Sequence, residues 1–370
     1  MINTKEFYEY LLEKKIDFFA GVPDSLLKDF CGYIKENCDK TKNIITANEG
    51  NAVAIASGYH ISTSKYGVVY MQNSGIGNAV NPLLSLADEE VYSIPMLLII
   101  GWRGEPGTKD EPQHKKQGKA TLPLLEAMNI EYKILDENYK DQIDYCYEYM
   151  KSNNKPIALI VRKGLFSEYK AKKDKNEYSL TREQSLEVVI NSLTENDFIV
   201  STTGKASREI FEIRERNNEG HSNDFLTVGS MGHTASIAYG MSVGTDKNIY
   251  CIDGDGSFLM HMGGFPIIAA NAKSNFKYIL INNGAHESVG GQPTVAFNID
   301  IENILKSTGF KNVYTAVNEE EIKNNMNKLN KDELNALIIY TKQGSRDDLG
   351  RPTTTPIENK QILMEKMQMR

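Results

Sequence analysis

The chain has 370 residues, 40% of them hydrophobic, a length that suits two α/β domains better than a single core. A net charge of −7 and a pI near 5.6, with no dense Lys/Arg block, argue against nucleic acid or an anionic membrane as partner and toward a small molecule. The four cysteines include no C-x-x-C pair, the N-terminus MINTKEFYEY lacks signal-peptide character, and the apolar run around 94–101 is far shorter than the ~20 residues of a membrane span. A soluble cytoplasmic protein without disulfides or zinc is expected.

In chain order, strands are predicted at 17–21, 43–47, 66–72, 96–102, 131–135 and 157–162, alternating with amphipathic segments of helical period. That alternation predicts parallel βαβ units in a doubly wound sheet. The first strand runs into GVPDSLLKDF, which carries Asp24 and Ser25, and the second into a helix opening at Glu49. After the third, Gly75-Ile76-Gly77 begins a dinucleotide fingerprint that Val80 breaks, so a nucleotide-binding oxidoreductase is weakly supported. After the fourth comes a polar stretch, 103–118, read as a long functional or disordered loop in which Lys109, His114, Lys115 and Lys116 stand ready for an anion. Residues 170–180 (KAKKDKNEYSL) are read as a linker between a first domain, 1–169, and a second, 181–370.

Beyond the linker, strands are predicted at 198–204, 225–229, 249–253, 276–282, 312–317 and 335–341. Ligands of parallel sheets sit beyond the carboxyl ends of strands, and the chemistry-bearing residues gather there. STTGKASRE holds Thr203 and Gly204, LTVGSMGHTASIAYG holds Met231, Gly232 and His233, and CIDGDGS holds Gly254, Asp255, Gly256 and Ser257. Residues 257–281 separate Gly254-Asp255-Gly256 from the Asn282-Asn283-Gly284 turn, enough for a helix and the next strand. Asp255, the Asn282 amide oxygen and a main-chain carbonyl near Gly284 supply the hard oxygens that Mg²⁺ takes beside a diphosphate. The glycines let backbone approach phosphate, and the helix that follows Gly256 favours an anion.

The GDG, a spacer of about 25 residues and NN resemble the cofactor signature of thiamine-diphosphate enzymes. The resemblance implies thiamine diphosphate and Mg²⁺ as cofactors, a first domain that binds the pyrimidine and a second that binds diphosphate and metal. It implies that Glu49 bonds N1′ of the aminopyrimidine and promotes loss of the thiazolium C2 proton. Taken alone, Glu49 reads as well as a helix N-terminal carboxylate. A bulky residue at the place of Met231 props the bent cofactor in such enzymes, whereas a lone buried Met commonly fills a core gap. His114 and His286 are candidates for moving protons.

From GVPDSLLKDF to the tail GSRDDLGRPTTTPIENK, the whole chain resembles the phosphonopyruvate decarboxylases, with the sulfopyruvate decarboxylases close by. It lacks room for the middle domain of the larger carboligases. The resemblance implies decarboxylation of 3-phosphonopyruvate to phosphonoacetaldehyde and CO₂ by a homo-oligomer, at least a dimer, whose subunits share the active site. Asp24, Ser25, Arg346 and Arg351 are the expected substrate residues, the arginines because guanidinium forks match a tetrahedral anion. A non-catalytic protein on a degenerate scaffold would not need Glu49, Asp255 and Asn282 together.

Overall fold

The computed structural model describes residues 1–172 and 176–368. The chain divides into two compact units, Met1–Lys173 and Asp174–Arg370. Of the expected linker, residues 173–175 lie outside the described residues. On either side of them Tyr169 N–H donates to Asp29 (3.0 Å) in the first unit, and Asn176 Nδ2 donates to the Thr341 carbonyl (3.0 Å) in the second.

The first unit is built on β1 (Phe18–Gly21), β2 (Asn43–Ile45), β3 (Gly67–Gln72), β4 (Leu97–Gly101), β5 (Glu131–Ile134) and β6 (Ile157–Val161). These pair in parallel in the order β2-β1-β3-β4-β6-β5. β4 and β6 are buried along their whole length, as strands covered on both faces must be. Successive residues feed opposite cores: Phe19, Val68, Ile99 and Leu159 pack on one face, and Ala20, Val69, Leu98 and Ile160 on the other.

The second unit contains β7 (Phe198–Ser201), β8 (Asp224–Leu226), β9 (Ile249–Gly254), β10 (Phe276–Asn282), β11 (Ala285–His286), β12 (Gln292–Pro293), β13 (Asn312–Ala316) and β14 (Asn335–Tyr340). Six of them form a parallel sheet ordered β13-β14-β10-β9-β7-β8. Counted from β8, this is the winding of the first unit over again. In each sheet the winding reverses beside the first strand, between β1 and β3 and between β7 and β9, which is where a ligand crevice forms.

All twelve expected strands are present, with ends that differ by a few residues. Three features differ from expectation. The polar stretch after β4 is a loop only as far as Glu111, because a helix, Pro112–Ala127, starts with proline in its first turn, where a missing N–H costs nothing. An antiparallel hairpin, β11 with β12, follows the asparagine turn. The tail ends in a helix, Pro356–Gln368, whose buried Asn359 donates from Nδ2 to the Asp224 carbonyl (2.8 Å) and accepts from Leu226 N–H (3.2 Å), covering the open edge of β8. Among the described residues, no helix is long and apolar enough to cross a membrane.

Candidate active site

In the second unit the strand ends at the β7/β9 reversal are stitched together. Gly229 N–H donates to Thr203 Oγ1 (2.9 Å), and Gly232 N–H donates to Ser257 Oγ (3.1 Å). Gly256 sits where nothing larger fits: a β-carbon there would stand 2.8 Å from Cε1 of His286 and 3.2 Å from Cε of Met231. Met231, Gly256 and His286 therefore meet at one point, and the rings of His233 and His261, tilted at 45°, lie with centroids 4.3 Å apart. Burial pushes His286 down to about 4, so its imidazole is neutral at neutral pH and can exchange a proton.

Asp255 is buried and meets only neutral donors, the Thr294 hydroxyl and backbone N–H groups that include that of Asn283. Without a cation, burial pushes its carboxyl up to about 7. Asn282 is fully buried, with Oδ1 accepting from Gly284 N–H (3.1 Å) and Nδ2 lacking a partner among the described residues. Gly284 turns the chain at φ +70°, and its carbonyl accepts from Thr294 N–H (2.9 Å). Asn283 is tied down at both ends of its amide: Oδ1 accepts from Ala285 N–H (3.1 Å) and Nδ2 donates to Glu287 (3.2 Å). Glu287 is in turn paired with Arg182, whose fork also grips Glu209 at 2.6 and 2.8 Å.

This donor set fits a magnesium ion. It offers one desolvated carboxylate lacking a positive partner, two buried amides and turn carbonyls, all hard oxygens. Among the described residues, no group of three His, Cys, Asp or Glu side chains is placed to hold a metal. A small hard cation here would therefore complete its shell with phosphate and water.

In the first unit, Glu49 opens the helix Glu49–Thr63 behind an Asn48 cap. Its carboxylate is buried, accepts from Asn78 Nδ2 (2.8 Å) and is raised by burial above the usual range. It rests on the α-carbon of Gly75, where a β-carbon would stand 2.2 Å from Glu49 Oε1. The Gly75-Ile76-Gly77 turn thus makes room for a carboxylate. A buried carboxyl held above its usual range and seated on a turn is suited to hydrogen-bonding a heterocyclic nitrogen.

The thiamine pyrophosphate enzyme N-terminal TPP-binding domain matches residues 4–122, and the corresponding C-terminal TPP-binding domain matches residues 202–339. The phosphonopyruvate decarboxylase of Streptomyces viridochromogenes is 29% identical over 97% of this chain and 93% of its own. The sulfopyruvate decarboxylase of Methanosarcina acetivorans is 26% identical over 87% and 86%, respectively. The alpha subunit of sulfopyruvate decarboxylase from Methanocaldococcus jannaschii is 35% identical over 47% of this chain and 100% of its own. The chain belongs to the thiamine-diphosphate-dependent decarboxylases.

For a decarboxylase of this family, Gly75 carries a specific expectation. Its backbone, at φ −75°, suits any residue, so Gly75→Ala adds no strain and acts only by displacing the Glu49 carboxylate. Turnover should fall by about 10²-fold, the usual cost of misplacing a reacting group by an ångström, with the melting temperature little changed. Steady-state rates beside a thermal melt check this; unchanged turnover would mean that Glu49 needs no fixed position.

Other expected residues fall in different surroundings. Asp24 is buried against Gly101, accepts from Leu26 N–H (3.0 Å) and is pushed up to about 6 by burial. Ser25 Oγ accepts from Arg103 (2.7 Å). His114 lies on the buried face of its helix, not in a loop, and its ring is held below the usual histidine range by burial and by Arg103. Arg346 is bound to Glu183, Glu212 and Asp348, so its fork is engaged within the protein, while Arg351 lies exposed in the tail. Gly75 reads in sequence only as the start of a broken dinucleotide fingerprint, while Asn78, Arg103, Glu287 and Thr294 carry no local signal and bond Glu49, Ser25, Arg182 and Asp255, partners distant in the chain.

Proposed function

We propose that this enzyme decarboxylates a three-carbon 2-keto acid ending in a strong anion, with 3-phosphonopyruvate as substrate and phosphonoacetaldehyde and CO₂ as products. The observation that carries the reading is the match to phosphonopyruvate decarboxylase over 97% of the chain, across both units. A second reading, sulfopyruvate as substrate, is favoured by the match of 47% of this chain to the whole of a sulfopyruvate decarboxylase alpha subunit. The two substrates share the keto acid and differ in the terminal anion.

Thiamine diphosphate, when bound, supplies an electron sink for the departing carboxylate. Asp255, the amide oxygens of Asn282 and Asn283 and the carbonyl of Gly284 would hold the magnesium ion. Thr203, Gly204, Gly232, His233, Gly254, Gly256 and Ser257 would line the diphosphate, and Met231 would support the ring system. Glu49 would hold and pass a proton at its carboxyl oxygen while Asn78 fixes its orientation. Within the second unit His286, neutral and desolvated beside Met231 and Gly256, would move a proton, and within the first unit His114 is the candidate. We take the enzyme to be a cytoplasmic homo-oligomer, to be read by sedimentation.

The test is CO₂ release from phosphonopyruvate, sulfopyruvate and pyruvate, with and without thiamine diphosphate and Mg²⁺. Release should need both cofactors, should be fastest with phosphonopyruvate, and should cease on chelation. Release from sulfopyruvate alone would install the second reading, and release from none would end both.

A further inference from the structure

Arg103 lies at the end of β4 and is held with unusual completeness for a loop residue. Its Nε (2.9 Å) and Nη2 clasp the two oxygens of Asp110, and its Nη1 donates to Ser25 Oγ (2.7 Å). Asp110 is itself fixed by the N–H groups of Gly104 and Glu111, both at 2.8 Å. The main chain of Arg103 is bonded both ways to one side chain: Asn73 Nδ2 donates to its carbonyl (2.8 Å), and its N–H donates to Asn73 Oδ1 (3.2 Å). Asn73 opens the turn Asn73–Gly75, on which the Glu49 carboxylate rests. A guanidinium, a hydroxyl and the Glu49 carboxylate are thereby locked into one cluster at the carboxyl ends of β1, β3 and β4.

We propose that Arg103 reads the terminal anion of the substrate, with Ser25 beside it and Asp110 as its positioning residue; this rests on the decarboxylase reading above. A guanidinium has five N–H donors. Three are committed, and among the described residues no further partner takes the one left on each terminal nitrogen. Two such donors match two oxygens of a tetrahedral phosphonate or sulfonate. The side chain is 20% exposed, desolvated enough to strengthen the pairing and open enough to meet a ligand. The Asp110 clasp fixes the guanidinium plane before substrate arrives, which removes an ordering cost from binding. Arg346 contrasts with it, since three carboxylates of its own unit already surround its guanidinium.

The bland alternative is that the clasp only staples the loop that follows β4. The two are separated on the cofactor-loaded enzyme with Arg103→Ala, Arg103→Lys, Asp110→Asn, Arg346→Ala and Arg351→Ala. The ratio of kcat/KM for phosphonopyruvate over pyruvate should drop about 10–100-fold in Arg103→Ala, the range for a charge-assisted hydrogen bond pair. Arg103→Lys should recover part of it, and Asp110→Asn should raise KM more than it lowers kcat. Independently of turnover, phosphonoacetate should raise the melting temperature of the wild type and not of Arg103→Ala. Should that variant fail to fold, Arg103→Gln carries the same two measurements. An unchanged ratio, undiminished protection by phosphonoacetate, or a selective loss in Arg346→Ala or Arg351→Ala instead would overturn the proposal. If the wild type decarboxylates none of the keto acids, the decarboxylase reading fails by itself, and the phosphonoacetate melts still decide what Arg103 binds.

Discussion

Glu49→Gln should lower turnover by about 10²–10⁴-fold, the contribution of a positioned proton-transfer group, while thiamine diphosphate affinity measured by titration calorimetry changes little. The amide keeps the size of the carboxylate and can still accept from Asn78, so the helix start and the seat against Gly75 survive. What it loses is a proton that can leave. Stability should move the other way. The folded-state pKa of Glu49 is raised by burial, so its contribution is fully present below the unfolded value and is lost as pH rises through the folded one. The glutamine variant has no such loss and should melt at or above the wild-type temperature at pH 8. Near-normal turnover would assign proton transfer to another residue.

The second large effect is expected at Asp255. Asp255→Asn keeps the volume and the Thr294 contact but removes the buried carboxylate that accepts from the Thr294 hydroxyl and the Asn283 main-chain N–H. The Mg²⁺ that accompanies the diphosphate then lacks its protein counter-charge, and cofactor affinity should fall by at least about 10²-fold, with turnover following. The cofactor-free variant should be no less stable than wild type, because a desolvated acid with only neutral partners has been replaced by a neutral group. Equilibrium binding of thiamine diphosphate with and without Mg²⁺ reads the effect directly. Affinity equal to wild type, with the same metal dependence, would place the metal elsewhere.

The strands were legible because their apolar runs are long and nearly unbroken, as in IALIV of β6 and YILIN within β10. The helix Pro112–Ala127 was hidden because its inward stripe is His114, Gly118, Thr121 and Leu125: the spacing is helical, but only the last is apolar. The hairpin β11–β12 has two residues per strand, below what alternation can reveal, and Gly290-Gly291 was its one trace. The tail helix did announce itself. Thr355-Pro-Ile-Glu358 is a capping box with proline in the first turn, and the Thr355 and Glu358 side chains bond each other's N–H. The glycines and prolines before it mask that signal. The site divides along the same line: Glu49, Asp255 and Asn282 stand out by local pattern. The partners that occupy Arg346, Glu183 and Glu212, come from elements far away in the chain, and no spacing rule connects them.

The seat of Ile2 bears on how the first unit is made. Ile2 pairs with Phe166, with Ile2 N–H donating to Leu165 O (2.8 Å) and Ser167 N–H to Ile2 O (2.9 Å), while Thr4 Oγ1 donates to Ser167 O. Domains tend to fold as they leave the ribosome, first part first. Here residues 2–4 find these partners only when the 165–167 stretch follows, so this clasp closes only once nearly the whole first unit is synthesised, whereas Phe7 can meet Phe30, its ring centroid 5.6 Å away, much earlier. Until then Phe7 lacks the Tyr139 and Phe166 rings that complete its packing, at centroid distances of 5.7 and 5.1 Å, the period in which a chaperone would have most to do.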